Sequence, residues 1–127
     1  MIVVDTSVWI SALRSPGSAE TATLRSLLDA DEVALAAPVR SELLMGVIGA
    51  KRASLADALS ALPVLYPTDQ TWRTVDAWTE RASAAGHSFS LGDLLIAVLA
   101  ADASALVWSL DRDFERLEKL TLVRLYG

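Results

Sequence analysis

Five acidic residues occupy positions at which their carboxylates can act together on one ligand. They are Asp5, Glu42, Asp93, Asp111 and Asp113. Asp5 directly follows the apolar run IVV, and Asp93 directly precedes eight consecutive apolar residues. Carboxylate oxygens are preferred ligands of hard divalent cations such as Mg²⁺ and Mn²⁺. Because acids that converge repel one another unless a cation compensates them, these residues predict a Mg²⁺ or Mn²⁺ site.

The position of Asp93 favours such compensation but also allows a simpler explanation. A helix that is apolar all round is normally buried, and an isolated ionised carboxylate near the core is energetically costly. Ser90 and Asp93 also match the capping-box pattern, in which a serine and an acid three residues later satisfy free N–H groups of the first turn. The local spacing therefore leaves both roles open, metal ligand and helix cap.

Each of the other acids has a structural alternative as well. Asp5 could cap a helix that begins directly after it, because aspartate is a favoured N-cap residue. Asp111 or Asp113 could cap the short turn that follows them. Glu42, taken alone, fits a solvated helix position. The convergence of all these acids on one rim favours the metal site over four unrelated structural roles.

Short apolar runs alternate with helical patterns along the chain. The runs cover residues 2–4, 33–37, 62–66, 105–110 and 120–125. Continuously apolar strands separated by helices are typical of a parallel sheet that is covered on both faces. We therefore expect one α/β domain over residues 1–127, a three-layer α/β/α arrangement with a mostly parallel sheet of about five strands. Ligands bind such sheets at the carboxyl ends of the strands, where Asp5 and Asp111 would lie.

Apolar residues at helical spacing predict the helices between these strands. The stripes cover residues 24–28, 55–62 and 72–82. Pro38 suits the first turn of a further helix that ends near Val47, because proline lacks the N–H that this turn leaves free.

Composition restricts the class of protein. The chain has 127 residues, a formal net charge of -5 and no cysteine. These values exclude disulfides and thiolate zinc sites, and they argue against nucleic-acid binding through a broad basic field. No apolar run approaches the roughly 18 residues that span a membrane, and the N-terminal segment lacks the basic start of a signal peptide. We expect a cytoplasmic protein that has no membrane contact.

Four segments together resemble one family. They are VVDTSVWI, PVRSELLMG, FSLGDLLIAVLA and SLDRDF. Their order and spacing, over essentially the whole chain, look like a PIN domain of the type found in VapC toxins of bacterial and archaeal toxin-antitoxin modules. The resemblance implies a Mg²⁺- or Mn²⁺-dependent endoribonuclease in which Asp5, Glu42, Asp93 and Asp111 are catalytic. The same four residues and Asp113 would bind the metal, with Asp5 and Asp93 as the principal ligands.

Hydroxyl groups accompany the acids in this family. Thr6 or Ser7 resembles the hydroxyl position beside the first aspartate. Ser109 stands where many relatives carry threonine, a difference that keeps the hydroxyl.

The resemblance also implies partners. The substrate would be an RNA, either tRNA, rRNA or mRNA, and its cleavage would inhibit translation and growth. A VapB-type antitoxin would block the nuclease and contact DNA through its own domain, and a homodimer is expected. We expect the antitoxin groove at a leucine-rich helical hairpin formed by residues 18–28 and 38–47.

Two other functions fit part of the sequence. A receiver-type phosphoacceptor domain also gathers acids around Mg²⁺, but it needs a lysine at the carboxyl end of a late strand, and neither Lys51 nor Lys119 has that place. A catalytically silent PIN module that binds RNA or protein is the second alternative, and the complete acid set argues against it. Arg14 and Arg112 lie close in sequence to the acids and are candidates for phosphate contacts.

Overall fold

A central parallel sheet organises the chain, which a computed structural model describes over all 127 residues. Its strands are β1 (Ile2–Val4), β2 (Val33–Ala36), β3 (Val64–Leu65) and β4 (Leu106–Trp108). Their order in the sheet is β3-β2-β1-β4. All three pairings are parallel, with Ile2 opposite Val33 on one side and Leu106 on the other. The expected α/β class with a parallel sheet is confirmed.

Seven helices connect and cover these strands. They are α1 (Thr6–Arg14), α2 (Ala19–Asp29), α3 (Ala37–Met45), α4 (Ala50–Leu59), α5 (Asp69–Ala84), α6 (Leu91–Asp102) and α7 (Asp113–Lys119). Side-chain caps mark several of their starts: Ser18 and Thr68 accept hydrogen bonds from backbone N–H groups of the first turn. Pro38 lies in the first turn of α3, as predicted. Every residue of β1 and β2 is buried, so both faces of the sheet centre are covered by protein.

The fifth apolar run forms much less sheet than expected. Only Leu125 pairs with the sheet, as a single parallel bridge to Val107. Two hydrogen bonds support this bridge, from the Val107 N–H to the Arg124 carbonyl and from the Tyr126 N–H to the Val107 carbonyl, each at 2.9 Å. The sheet therefore has four strands and one bridged edge rather than five full strands.

The apolar helix α6 lies at the centre of the molecule. Seven consecutive residues, Leu94 to Ala100, are buried. This confirms the burial that is predicted for a helix that is apolar all round. It packs against the strands β1, β2 and β4 and against the helices α3, α5 and α7. No helix has both the length and the apolar character needed to cross a membrane.

The leucine-rich hairpin expected from residues 18–28 and 38–47 forms differently. Both segments are helical, as α2 and α3, but α1 packs against each of them. Two clefts result, one between α1 and α2 and one between α1 and α3. The surface predicted for a partner is therefore built from three helices, because the N-terminal helix contributes a wall to each cleft.

Candidate metal centre

The carboxyl ends of β1 and β4 bring acids from opposite ends of the chain together. Asp5 follows β1, and Asp111 and Asp113 follow β4, which is its neighbour in the sheet. The first turn of α6 adds Asp93. One carboxylate oxygen from each of Asp93, Asp111 and Asp113 lies within 4.8 Å of the others. Three of the five predicted acids therefore form one compact group of oxygen ligands.

Asp5 is buried at the edge of this group and is held by several hydrogen bonds. Its Oδ2 atom accepts the Ser7 hydroxyl at 2.7 Å, the Ser109 hydroxyl at 2.8 Å and, more weakly, the Ser7 N–H at 3.4 Å. The last contact makes Asp5 the N-cap of α1, so the capping alternative is confirmed for this residue. No hydrogen bond ends on Oδ1, which leaves one oxygen of the carboxylate without a protein donor.

The surroundings of Asp93 change the ionisation of its carboxyl group. Its pKa rises from 3.8 to about 6, mainly because burial disfavours the charged form. The negative charges of Asp111, Asp5 and Asp113 raise the pKa further, whereas the Ser90 hydroxyl opposes the increase. The negative charge of Asp5 thus raises the pKa of Asp93 even though Asp5 lies outside the compact group.

Ser90 performs the capping of α6. Its hydroxyl oxygen accepts the N–H of Asp93 at 3.1 Å, whereas the Ser90 N–H donates no hydrogen bond to the Asp93 carboxylate. Half of the predicted capping box is therefore present, because the serine caps the helix through the backbone of Asp93. The carboxylate of Asp93 is not the group that caps the helix.

Asp111 and Asp113 are tied to the start of α7. The Asp111 Oδ1 atom accepts the N–H of Asp113 at 2.9 Å. The N-cap of α7 is Arg112, which makes no side-chain capping bond, so Asp111 supports the start of the helix from the position before the cap, and Asp113 is its first residue. Asp113 forms an ion pair with Arg116, one turn further along the helix. Arg116 was not singled out from the sequence, although an acid and an arginine three residues apart in DFER provide the signal.

Glu42 approaches the group from α3. A β-carbon built on Gly92 would lie 3.8 Å from the Glu42 Oε1 atom, so the Glu42 side chain lies beside the residue that precedes Asp93. Glu42 is exposed and is not one of the three closely grouped acids. It lines the cleft between α1 and α3 together with Arg14. The structure therefore places Glu42 next to the start of α6 without bringing its carboxylate into the compact group.

Comparison with known proteins assigns the family. The PIN domain profile matches residues 2–120. The VapC ribonuclease Mb1587 of Mycobacterium bovis is 31% identical over 126 residues, which cover 95% of this chain and 94% of that protein. Ribonuclease VapC11 of Mycobacterium tuberculosis has the same identity and coverage.

Solved structures share the fold. VapBC2 from Rickettsia felis, bound to a DNA fragment from its promoter, superposes with a TM-score of 0.79 and 19% identity over 99% of this chain and 98% of that chain. The Mycobacterium tuberculosis toxin VapC20, which cleaves the sarcin-ricin loop, gives a TM-score of 0.68 and 22% identity over 91% and 94%. These matches exclude the receiver-type alternative, because profile, relatives and fold agree over nearly the whole chain. The chain belongs to the PIN domain family, and its relatives are VapC ribonucleases.

Proposed function

We propose that this protein is a metal-dependent endoribonuclease that acts as the toxin of a VapBC-type toxin-antitoxin pair. The observation that carries the proposal is the group of three carboxylate oxygens within 4.8 Å, at the carboxyl ends of two adjacent parallel strands. Relatives named VapC ribonucleases, at 31% identity over 95% of the chain, support the same activity. The proposed catalytic residues are Asp5, Glu42, Asp93 and Asp111.

The donor set fits a small, hard cation. Asp93, Asp111 and Asp113 offer only carboxylate oxygens, and Mg²⁺ and Mn²⁺ favour such ligands over imidazole or thiolate. Asp5 adds a further carboxylate oxygen from the neighbouring strand. When bound, such a cation stabilises charge on a phosphodiester and activates water for its hydrolysis. We propose Mg²⁺ or Mn²⁺ as the cofactor.

The side chains of the site would prepare it for this cation. Asp5 is fixed in orientation by its hydroxyl donors, so that its position does not depend on the ligand. Asp93 is desolvated and surrounded by negative charge, which favours replacement of its proton by a divalent cation. Glu42 would approach the same space from α3, beside Gly92.

The two clefts beside α1 support an antitoxin partner. The cleft between α1 and α2 has a volume of about 370 Å³ and is lined by apolar side chains that include Trp9, Leu24 and Leu28. The cleft between α1 and α3 has a volume of about 210 Å³ and includes Glu42. A segment of a VapB-type antitoxin that followed α1 would thus reach the acidic group and block access of RNA.

The remaining parts of the proposal concern context. The substrate would be tRNA, rRNA or mRNA, and its cleavage would stop translation and growth. The toxin would form a homodimer, contact DNA only through its antitoxin and act in the cytoplasm as a single domain over residues 1–127. VapBC complexes with DNA are among the similar structures, which supports the antitoxin partner and a DNA-bound complex.

Cleavage of an RNA pool tests the activity. Antitoxin-free protein is incubated with tRNA, rRNA and mRNA in Mg²⁺, Mn²⁺ or EDTA, beside Asp93→Asn and the matched control Asp76→Asn, which changes an exposed acid of α5. We expect metal-dependent fragments from the wild type and the control alone. Equal cleavage by Asp93→Asn would reject the assigned site. Absence of cleavage by folded, metal-loaded wild type would favour a PIN module that only binds RNA or protein.

A further inference from the structure

Two serine hydroxyls connect the acidic group to the backbone of the loop after β4. The Ser7 hydroxyl lies 2.7 Å from the Asp5 Oδ2 atom, and the Ser109 hydroxyl lies 2.8 Å from the same atom. Each serine oxygen also accepts a backbone N–H, Ser7 from Leu110 at 3.0 Å and Ser109 from Asp111 at 2.9 Å. The two serines are 102 positions apart in the sequence but act on one carboxylate oxygen.

Proton counting fixes the direction of these hydrogen bonds. A serine hydroxyl has one proton to donate, and the closest acceptor of both protons is the Asp5 Oδ2 atom. The separation of 3.3 Å between the two serine oxygens is therefore a contact between acceptors and not a further bond. Each series of hydrogen bonds runs from a backbone amide through a serine hydroxyl to the Asp5 carboxylate. In such a series, successive hydrogen bonds strengthen one another.

This arrangement has two consequences for the acids. Hydrogen bonds to Oδ2 restrict rotation of the Asp5 carboxylate, while Oδ1 keeps its lone pairs. The amide of Asp111 is anchored to the hydroxyl of Ser109, so the backbone of one acid is fixed relative to the side chain of the other. Without both hydroxyls, the end of β1 and the loop after β4 would lose these side-chain links and keep the backbone bond from the Asp5 N–H to the Trp108 carbonyl.

We propose that Ser7 and Ser109 are positioning residues that hold the Asp5 carboxylate with Oδ1 available to a divalent cation and set the separation of Asp5 from Asp111. The inference rests on the proposed function, because it takes Asp5 and Asp111 as metal-site residues. Neither serine contacts the cation in this scheme. Their effect on metal binding is transmitted through the acids that they orient.

Metal affinity measured without RNA tests the proposal. The binding of Mn²⁺ alone is followed by calorimetry for the wild type, Ser7→Ala, Ser109→Ala and Ser109→Thr. Residues that orient metal ligands typically contribute about 10- to 100-fold to affinity, and we expect losses in this range for both alanine variants. Ser109→Thr keeps the hydroxyl and is expected to retain most of the affinity. The matched control is Ser60→Ala, which removes a hydroxyl bonded to the Asp57 carbonyl at the end of α4.

Thermal unfolding in EDTA separates positioning from a purely structural role. A drop in melting temperature with unchanged Mn²⁺ affinity in both alanine variants would overturn the proposal. If an alanine variant fails to fold, Ser109→Thr and Ser109→Val replace it, since they have closely similar shapes and differ by the hydroxyl. Equal affinities of that pair would likewise overturn it. Absence of Mn²⁺ binding by the folded wild type would reject the proposed function as well, whereas normal cleavage and binding by the alanine variants would reject this inference alone.

Discussion

Asp93 shows how one residue position can serve a helix and a site at once. Its backbone N–H is capped by Ser90, and its carboxylate lies among other acids. The sequence alone leaves the two roles undecided, because both depend on the same spacing of three residues. The structure separates them, since it assigns the cap to the serine and the perturbed ionisation to the carboxylate.

The raised pKa of Asp93 predicts how stability depends on pH. The pKa is about 6 in the folded protein and 3.8 for the ordinary group, so folded protein holds a proton that unfolded chains have released between these values. Stability therefore falls as pH rises through this window. Asp93→Asn lacks the charge. In EDTA we expect it to match the wild type below about pH 4 and to exceed it by about 1 to 2 kcal/mol above pH 6, after allowance for solvent screening.

Thermal unfolding at pH 3.5 and pH 7.5 measures this difference. Asp76→Asn is the control, because Asp76 is exposed on α5 and should show no advantage at either pH. Addition of Mn²⁺ should then make the wild type more stable than Asp93→Asn at pH 7.5, since the cation stabilises only protein that binds it. An equal or lower stability of Asp93→Asn at pH 7.5 in EDTA would contradict the assigned environment.

Arg116 opposes the negative charge of the site. Its guanidinium pairs with Asp113 at an exposed position, where an ion pair contributes at most about 1 kcal/mol to stability. Removal of the positive charge should therefore leave the melting temperature nearly unchanged. It should strengthen Mn²⁺ binding by about two- to fivefold, because the repulsion between the guanidinium and the cation is removed. The gain is small because solvent screens this repulsion. Calorimetry of Arg116→Gln beside the exposed α5 control Arg73→Gln tests this, and weaker binding would show that the pair organises the site.

At the scale of elements, continuous apolar runs were the most reliable signal. The run after Asp93 predicts a buried helix, and α6 is buried over seven consecutive residues. The run at 120–125 predicts a strand but yields one bridge at Leu125. Thr121 has a positive φ of 59° at a turn after α7, and the segment pairs with β4 only at Leu125, near its end. Local hydrophobicity predicts burial in both cases, whereas strand pairing depends on the path of the chain.

The packing of α6 predicts a sharp contrast within one helix. Ile96 is 1% exposed, and Leu91, in the first turn, is 58% exposed. Ile96→Ala should destabilise the protein by about 2 to 5 kcal/mol, because it removes apolar contacts and leaves a cavity. Leu91→Ala should change stability by less than about 0.5 kcal/mol. Urea unfolding at neutral pH measures both, and equal effects would contradict the central position of this helix.

At the scale of the whole molecule, strand order is what assembles the site. Asp5 and Asp111 are far apart in the sequence, and each could be placed at a strand end from local pattern alone. That β4 lies directly beside β1 is a property of the complete sheet, and no local pattern predicts it. The contact of Ser7 with Ser109 depends on the same adjacency. Asp5 and Asp111 were therefore predictable as acids at strand ends, but the distances between the acids and the serine network were not.

The charge of the whole molecule determines how RNA can approach. With 11 basic and 16 acidic residues, the protein has no excess of cations to neutralise phosphates, so each well-placed arginine has a measurable share of any RNA contact.

Arg112 is exposed between Asp111 and Asp113. If it contacts a phosphate, Arg112→Ala should reduce the slope of log affinity against log salt by about one and weaken binding across RNA sequences alike. Binding of RNA in Ca²⁺, over a range of KCl concentrations, measures the slope, with Arg73→Ala as the control. An unchanged slope in Arg112→Ala would show that Arg112 makes no phosphate contact.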